Sequence, residues 1–166
     1  MAGADLTAQR LRDLLDYEPN TGIFTRRVWR GGTSRAGSVA GASHGKTGYL
    51  QISVDGRLYF AHRLAWLHYY GEHPKKHIDH INGDKSDNRI SNLRDVSRSV
   101  NLQNVRRARV DNLATGLLGV IRSRDKFSAH IFVDGKSKHL GVYSTAPEAH
   151  AAYLIAKRAM HEGCTI

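Results

Sequence analysis

Residues 77–104 read HIDHINGDKSDNRISNLRDVSRSVNLQN, two short apolar segments around a polar excursion and then a helix-like run. Lys76–Ile81 is expected to be a strand, Asn82-Gly83-Asp84 a turn, and Lys85–Ile90 an irregular polar loop. Asn92-Leu93 leads into a second strand ending near Val96, and Ser97 is placed to N-cap a helix running to about Arg107. The expectation is a β-β-α hairpin. Asp79 and His80 leave its first strand, Asn92 stands on the turn side of the second, and Asn101 lies in the first turns of the helix.

Those residue types suit phosphodiester hydrolysis. The reaction needs a base to activate water, and an imidazole with an unperturbed pKa of ~6.5 works near neutrality. It also needs a divalent cation to neutralise charge on the phosphate and the departing oxygen. A hard cation takes oxygen ligands, which Asp79 and Asn101 can supply beside the phosphate itself. An amide at Asn92 can hold the hairpin and orient His80. Adjacent strand residues face opposite sides, so Asp79 and His80 converge only if the strand bends.

Plainer roles compete at several positions. Asn82, Asp84, Asp87 and Asn88 read as turn residues. Five of the ten histidines, His62, His68, His73, His77 and His80, fall within residues 62–80, which leaves a His-rich zinc site open. His68 and His73 read as packing or surface groups, His62 as a hydrogen-bonded structural histidine, and His77 as facing the same side as Asp79. Arg63, Arg89, Arg94, Arg98, Arg106 and Arg107 surround the motif, as phosphate contacts or as solvated charges.

The wider composition agrees with a polyanion partner. The 166 residues carry 25 Lys+Arg against 15 Asp+Glu, a formal +10. Residues 75–110 hold nine basic and four acidic groups, a net +5. A 40% hydrophobic fraction supports a packed core. The single cysteine, Cys164, excludes an internal disulfide and fits a reducing cytosol. No run approaches the ~18 apolar residues of a membrane helix, and the opening MAGADLTAQRLRDLL has no apolar signal-peptide core. The expectation is a cytoplasmic protein that does not engage membranes.

Outside the hairpin, LTAQRLRDLLDYEP reads as a helix ended by Pro19, followed by strands and turns from Gly22 to Phe60. Between them RGGTSRAGSVAGASHGKTG makes a loop at 30–48 with the composition to lie along a phosphate backbone. Asp55-Gly56 marks a hairpin turn, and HRLAWLHYYG a helix closed by Gly71. Polar residues 108–116 suggest a boundary, dividing the chain into 1–110 and 111–166. Beyond it come strands near Gly119–Ser123, Phe127–Val133 and His139–Tyr143, then a helix over Thr145–His161 with a capping box.

The patterns I-D-H-I-N-G-D, D-N-R-I-S-N-L and S-V-N-L-Q-N resemble the HNH nucleases of the phage and intron-homing branch, over about residues 11–107. The resemblance implies a β-β-α-metal (His-Me finger) core at 76–107. It implies His80 as general base, Asn92 as the supporting asparagine, and Asp79 and Asn101 as ligands of a divalent metal, Mg²⁺ or Mn²⁺. The C-terminal segment resembles the AP-two domain of plant ethylene-response factors through G-V at 119–120, K-F-S-A-H-I at 126–131, L-G-V-Y at 140–143 and T-A-P-E-A-H-A-A-Y at 145–153. That implies a three-stranded antiparallel sheet packed on one helix, with the sheet in the major groove. The usual sheet tryptophans are absent, and Ile121 stands where the plant form has arginine.

The combined expectation is an α+β, metal-dependent homing endonuclease acting on double-stranded DNA in a bacterial or phage-infected cell. Arg63, Arg98, Arg106, Arg107, Arg122, Arg124, Lys126, His130, Lys136 and Lys138 are its candidate DNA contacts. One such site cuts one strand, so a monomer nicks and a double-strand break needs a dimer or a second event; the oligomeric state stays open. A catalytically silent DNA-binding protein and a restriction or phage DNA-processing nuclease are the alternatives.

Overall fold

The computed structural model describes residues 5–29, 31, 35–45, 47–108, 112 and 114–166. Over these residues the chain is mixed α+β, with four α-helices and several small antiparallel sheets. It divides into two compact units, Met1–Ser97 and Arg98–Ile166. The expected boundary at 110/111 lies outside the described residues, as do positions 30, 32–34 and 46 of the loop at 30–48.

In the first unit, helix α1 (Ala8–Leu14) starts where the Thr7 hydroxyl accepts the Arg10 amide at 3.1 Å. The expected helix to Pro19 is too long. Leu15–Glu18 is instead strand β1, with Leu15 and Tyr17 buried and Asp16 and Glu18 exposed, a period of two. It pairs antiparallel with β2 (Ile23–Arg26), and Tyr17 packs on Phe24 with ring centroids 4.7 Å apart. Strand β3 (Val39–Ala40) completes that sheet.

A second sheet joins β4 (Ala42–Ser43), β5 (Leu50–Val54) and β6 (Arg57–Phe60). Asp55 and Gly56, at φ +47° and +79°, make its tight hairpin turn. Helix α2 (Ala61–Tyr70) follows and closes on Gly71 at φ +79°. Its Leu64, Ala65 and Leu67 join Leu11, Leu15, Ile52, Ile78 and Leu93 in the buried core. On this core rests the hairpin of β7 (His77–His80) and β8 (Leu93–Val96), paired Asp79 to Arg94 and His80 to Leu93.

The second unit begins with helix α3 (Arg98–Gln103), which stops short of Arg107. Its last turn tightens, Asn104 donating to the Asn101 carbonyl and Val105 to that of Leu102. Tertiary partners take over from there. The Lys157 ammonium donates to the Val105 carbonyl, and the Thr165 hydroxyl to the Asn104 amide oxygen at 2.5 Å. Strands β9 (Val120–Ser123), β10 (Lys126–Val133) and β11 (Lys136–Tyr143) form one antiparallel sheet with β10 central. The third strand starts three residues earlier than expected, because the Asp134-Gly135 turn lets Lys136 pair with Val133.

Helix α4 (Ala146–Met160) covers one face of this sheet and carries the expected capping box between Thr145 and Glu148. Its stripe of Ala149, Tyr153 and Ala156 packs against Val120, Ala129 and Ile131.

Gly22 ties the first unit together. It sits at φ +75°, and a Cβ there would come within 2.5 Å of the Asn88–Arg89 backbone. Gly56 shares the conformation, at φ +79°, but faces open space. Gly56→Ala should therefore cost about 1 kcal/mol from the left-handed backbone alone. Gly22→Ala should cost about 3 kcal/mol, because overpacking is added to strain. Urea unfolding of the two variants checks the difference.

Candidate active site

The loop between β7 and β8 is built from side chains that cap its own backbone. Asn82 Oδ1 accepts the Asp84 amide at 2.8 Å, Asp84 Oδ1 the Ser86 amide at 2.9 Å, and Asp87 Oδ1 the Arg89 amide at 3.3 Å. Asn82, Asp84 and Asp87 thus fill the turn roles read from their types. Asp87 also pairs with Arg89 at 2.6 Å, which engages that guanidinium and holds the carboxyl below the ordinary aspartate range.

Asn92 fastens the loop to the second strand. Its Oδ1 accepts the Asn82 amide at 2.9 Å and its Nδ2 donates to the Asp87 carbonyl at 2.8 Å. Asn88, read as a turn residue, is the side chain that meets His80. It is 1% exposed, and its Oδ1 lies 3.3 Å from His80 Nε2. Asn88 Nδ2 donates to the Ser86 carbonyl at 3.1 Å, which fixes the amide so that its oxygen faces the imidazole. An oxygen that only accepts requires a proton on Nε2, leaving the basic lone pair of His80 on Nδ1.

His80 is buried among rings: Tyr49 at 5.8 Å and His62, edge-on, at 5.2 Å between centroids. Burial holds its pKa below the usual histidine value. The Asn88 hydrogen bond and the nearby Asp79, Asp84 and Asp87 carboxylates oppose that shift without reversing it. The imidazole is therefore neutral at pH 7, the form a base requires.

His62 differs from the hydrogen-bonded histidine expected of it. Its ring stacks on Phe60 at 5.4 Å and lies 5.0 Å from Tyr49, and its buried Nδ1 has no hydrogen-bond partner among the described residues. Burial, with smaller contributions from His80 and Arg63, lowers its pKa to about 3.

Asp79 is also buried, and its Oδ2 receives Arg94 Nε at 2.8 Å and Nη2 at 2.7 Å. Arg94, one of the arginines that the sequence leaves as phosphate contacts or solvated charges, is neither here: it pairs with Asp79. Register explains its actual role, since it stands directly across the ladder from Asp79. His77 is exposed at the start of β7. No cluster of three or more His, Cys, Asp or Glu side chains suited to a metal exists among the described residues. A carboxylate and an amide oxygen are donors of the kind a hard cation takes beside waters and phosphate oxygens. Asn101, half-buried on α3, belongs to the second compact unit.

The other candidate contacts are spread over both units. Arg63 is half-buried on α2, while Arg98 and Arg107 are exposed. Arg106 donates to the Thr165 hydroxyl at 2.5 Å. Arg122, Arg124, Lys126, Lys136 and Lys138 are exposed around the β9–β11 sheet, and His130 is half-buried within it. No helix among the described residues is long and apolar enough to cross a membrane.

A family model described as HNH endonuclease matches residues 59–103, from the end of β6 through α2 and the β7–β8 hairpin to the end of α3. No curated protein and no solved structure matches the chain. The matched segment is similar to an HNH endonuclease domain, and such a domain suggests a nuclease acting on DNA.

The buried imidazoles set an acid limit on stability. His62 has a folded pKa of about 3, below the ~6.5 of an unfolded histidine, so the unfolded chain takes up the proton first as pH falls. Its contribution is complete above pH ~6.5 and is lost progressively between there and pH ~3. At pH 5 the loss should be about 2 kcal/mol from this group. Urea unfolding at pH 7.5 and pH 5 should show a smaller acid loss in His62→Phe than in the wild type.

Proposed function

We propose that this chain is a metal-dependent DNA endonuclease of the homing type, nicking duplex DNA as a monomer, with residues 1–110 as its nuclease region. The observation that carries the reading is the His80–Asn88 pair within the HNH-matched segment, a buried neutral imidazole oriented by a fixed amide.

In this mechanism His80 Nδ1 takes a proton from water as the oxygen attacks phosphorus. The P–O3′ bond then breaks, and solvent supplies the proton that the leaving 3′ oxygen acquires. Asn88 keeps the proton on Nε2 and so the acceptor lone pair on Nδ1, and Asn92 preserves the loop that carries Asn88. Asp79 and Asn101 would hold the divalent cation, Mg²⁺ or Mn²⁺, whose charge stabilises the pentacovalent phosphorus and the departing oxygen. Residues 111–166 position the enzyme as an AP-two-like sheet domain. Arg122, Arg124, Lys126, His130, Lys136 and Lys138 contact DNA there, and Arg63, Arg98, Arg106 and Arg107 add contacts from the nuclease region. The host is a bacterial or phage-infected cell, and the protein acts in its cytoplasm.

One observation favours a second reading. Two nitrogens of Arg94 already engage Asp79 Oδ2, an arrangement that suits a catalytically silent DNA-binding protein.

Supercoiled DNA carrying the protein's own genomic neighbourhood separates the two. Wild type should nick it with Mg²⁺ or Mn²⁺ and leave it intact with EDTA, while His80→Ala should lose at least 100-fold in rate. Binding without cutting with either metal would establish the silent reading. The pH profile adds a check on His80 itself. Its lowered pKa places the rising limb below pH ~6.5, with a plateau through neutrality. Asn88→Ala should reduce the plateau rate by about tenfold, at the scale of a lost orienting partner.

A further inference from the structure

The face of the β9–β11 sheet turned away from α4 has a chemistry that the cationic residues around it do not suggest. Val120, Phe127, Ala129, Ile131, Val133, Leu140 and Tyr143 pack on the helix side. By alternation Ile121, Ser128, His130 and Phe132 point the other way. A bulge extends the pattern into β11. Ala129 pairs with Gly141 and His130 with His139, so Leu140 is the extra residue and turns to the helix. Gly141 takes φ +141° at this bulge. His139 and Val142 consequently share the open face with His130.

That face carries exposed apolar side chains around a polar centre, Ser128, which is itself buried. Ile121 is 56% exposed, Phe132 65% and Val142 55%. Ile121 and Val142 flank Ser128 across the three strands. Beside them the His130 and His139 rings lie 4.8 Å apart, with His130 Nε2 3.4 Å from His139 Nδ1 and 3.2 Å from Ser128 Oγ. Cations stand at the β9–β10 end of the central strand, where Lys126 shares the open face with Ser128 by alternation and Arg124 occupies the turn. At the other end the register sets Lys136 and Lys138 across from Val133 and Ile131, on the helix side. β10 spans about 23 Å at ~3.3 Å per residue, longer than the ~12 Å width of a B-DNA major groove, so its basic end reaches a phosphate when its middle faces base edges.

We propose that Ile121, Phe132 and Val142 form a thymine-reading surface, contacting the 5-methyl groups of duplex DNA in the major groove, with the His130–His139 pair supplying the polar contacts beside them. The charge arrangement selects this occupant, because the Arg124 and Lys126 cations beside an exposed apolar set complement a phosphate beside base edges. This specificity rests on the DNA-positioning role proposed for residues 111–166.

Full-length protein, in EDTA so that nothing is cut, would be used to select duplexes from a random pool. The selected duplex is then remade with deoxyuridine for thymidine, which removes only the methyl groups. Wild type should lose about fourfold in affinity for each contacted methyl, the scale of one buried carbon. The variant Ile121→Ser/Phe132→Ser/Val142→Ser should bind both duplexes equally and keep the wild-type salt dependence. Arg124→Gln/Lys126→Gln should keep the methyl dependence with a shallower salt slope. All five positions are exposed, and circular dichroism checks that the sheet is intact.

Equal wild-type binding to both duplexes would overturn the proposal, as would a methyl preference surviving in the triple serine variant. A concentration-dependent dimer broken by Phe132→Ser, with DNA binding unchanged, would overturn it in favour of a self-interface. Metal-dependent cutting without any selected sequence would overturn sequence reading by this sheet and leave the nuclease intact. Loss of both binding and cutting would remove the functional reading on which it rests.

Discussion

The proposed chemistry depends on one buried amide. Asn88 links His80 to the loop through Ser86, and its backbone carbonyl accepts the Tyr17 hydroxyl at 2.7 Å from the far side of the unit. Gly22 packs against the same backbone, and the Ile90 amide donates to the Pro19 carbonyl at 3.1 Å. The β1–β2 hairpin thus braces a segment some seventy residues away in sequence. A buried amide with unmet bonds is costly, so the network favours one arrangement of loop, tyrosine and imidazole together.

Around it, the acidic residues divide their labour by exposure. Asp84 and Asp87 lie in the loop and spend their oxygens on turn amides and Arg89. Asp79 is buried on β7 and pairs with Arg94. Removing Arg94 would leave a buried carboxyl without that partner, which is far less tolerable than losing an exposed pair. The same burial that makes a partner necessary for Asp79 depresses the pKa of His80 and favours the neutral imidazole.

The second unit solves a different problem with a small core. Ala129, Ala149 and Ala156 allow close helix–sheet approach, and Tyr153 fills the space beneath Gly119, where a side chain would collide with its ring. Lys157 is buried in this unit, its ammonium bound to the Val105 carbonyl and its pKa lowered mainly by burial. That contact, with those of Asn104 and Gln103 to Thr165 and Gly163, ties the end of α3 to the C-terminal residues.

Local chemistry made much of this legible without coordinates. Asp55-Gly56 and Asp134-Gly135 announce hairpin turns because their backbones need positive φ, and Thr145 with Glu148 announces a helix start because each caps the other. The I-D-H-I-N-G-D pattern singles out Asp79 and His80 through its resemblance to HNH nucleases. What sequence distance hides is partnership. Leu15 could continue a helix until pairing with β2 made it a strand, and Val105 could do the same for α3 until Lys157 claimed its carbonyl. Asn88 and Asn92 are the same residue type four positions apart, and burial against Tyr17 and His80 gives the former the orienting contact. Sequence by itself determined the turns, the caps and the residue types available for chemistry, because these depend on neighbours along the chain. Tertiary structure alone decided which asparagine meets the imidazole, which arginine meets the aspartate and which sheet face stays open, because those depend on groups that only folding brings within hydrogen-bonding or packing distance.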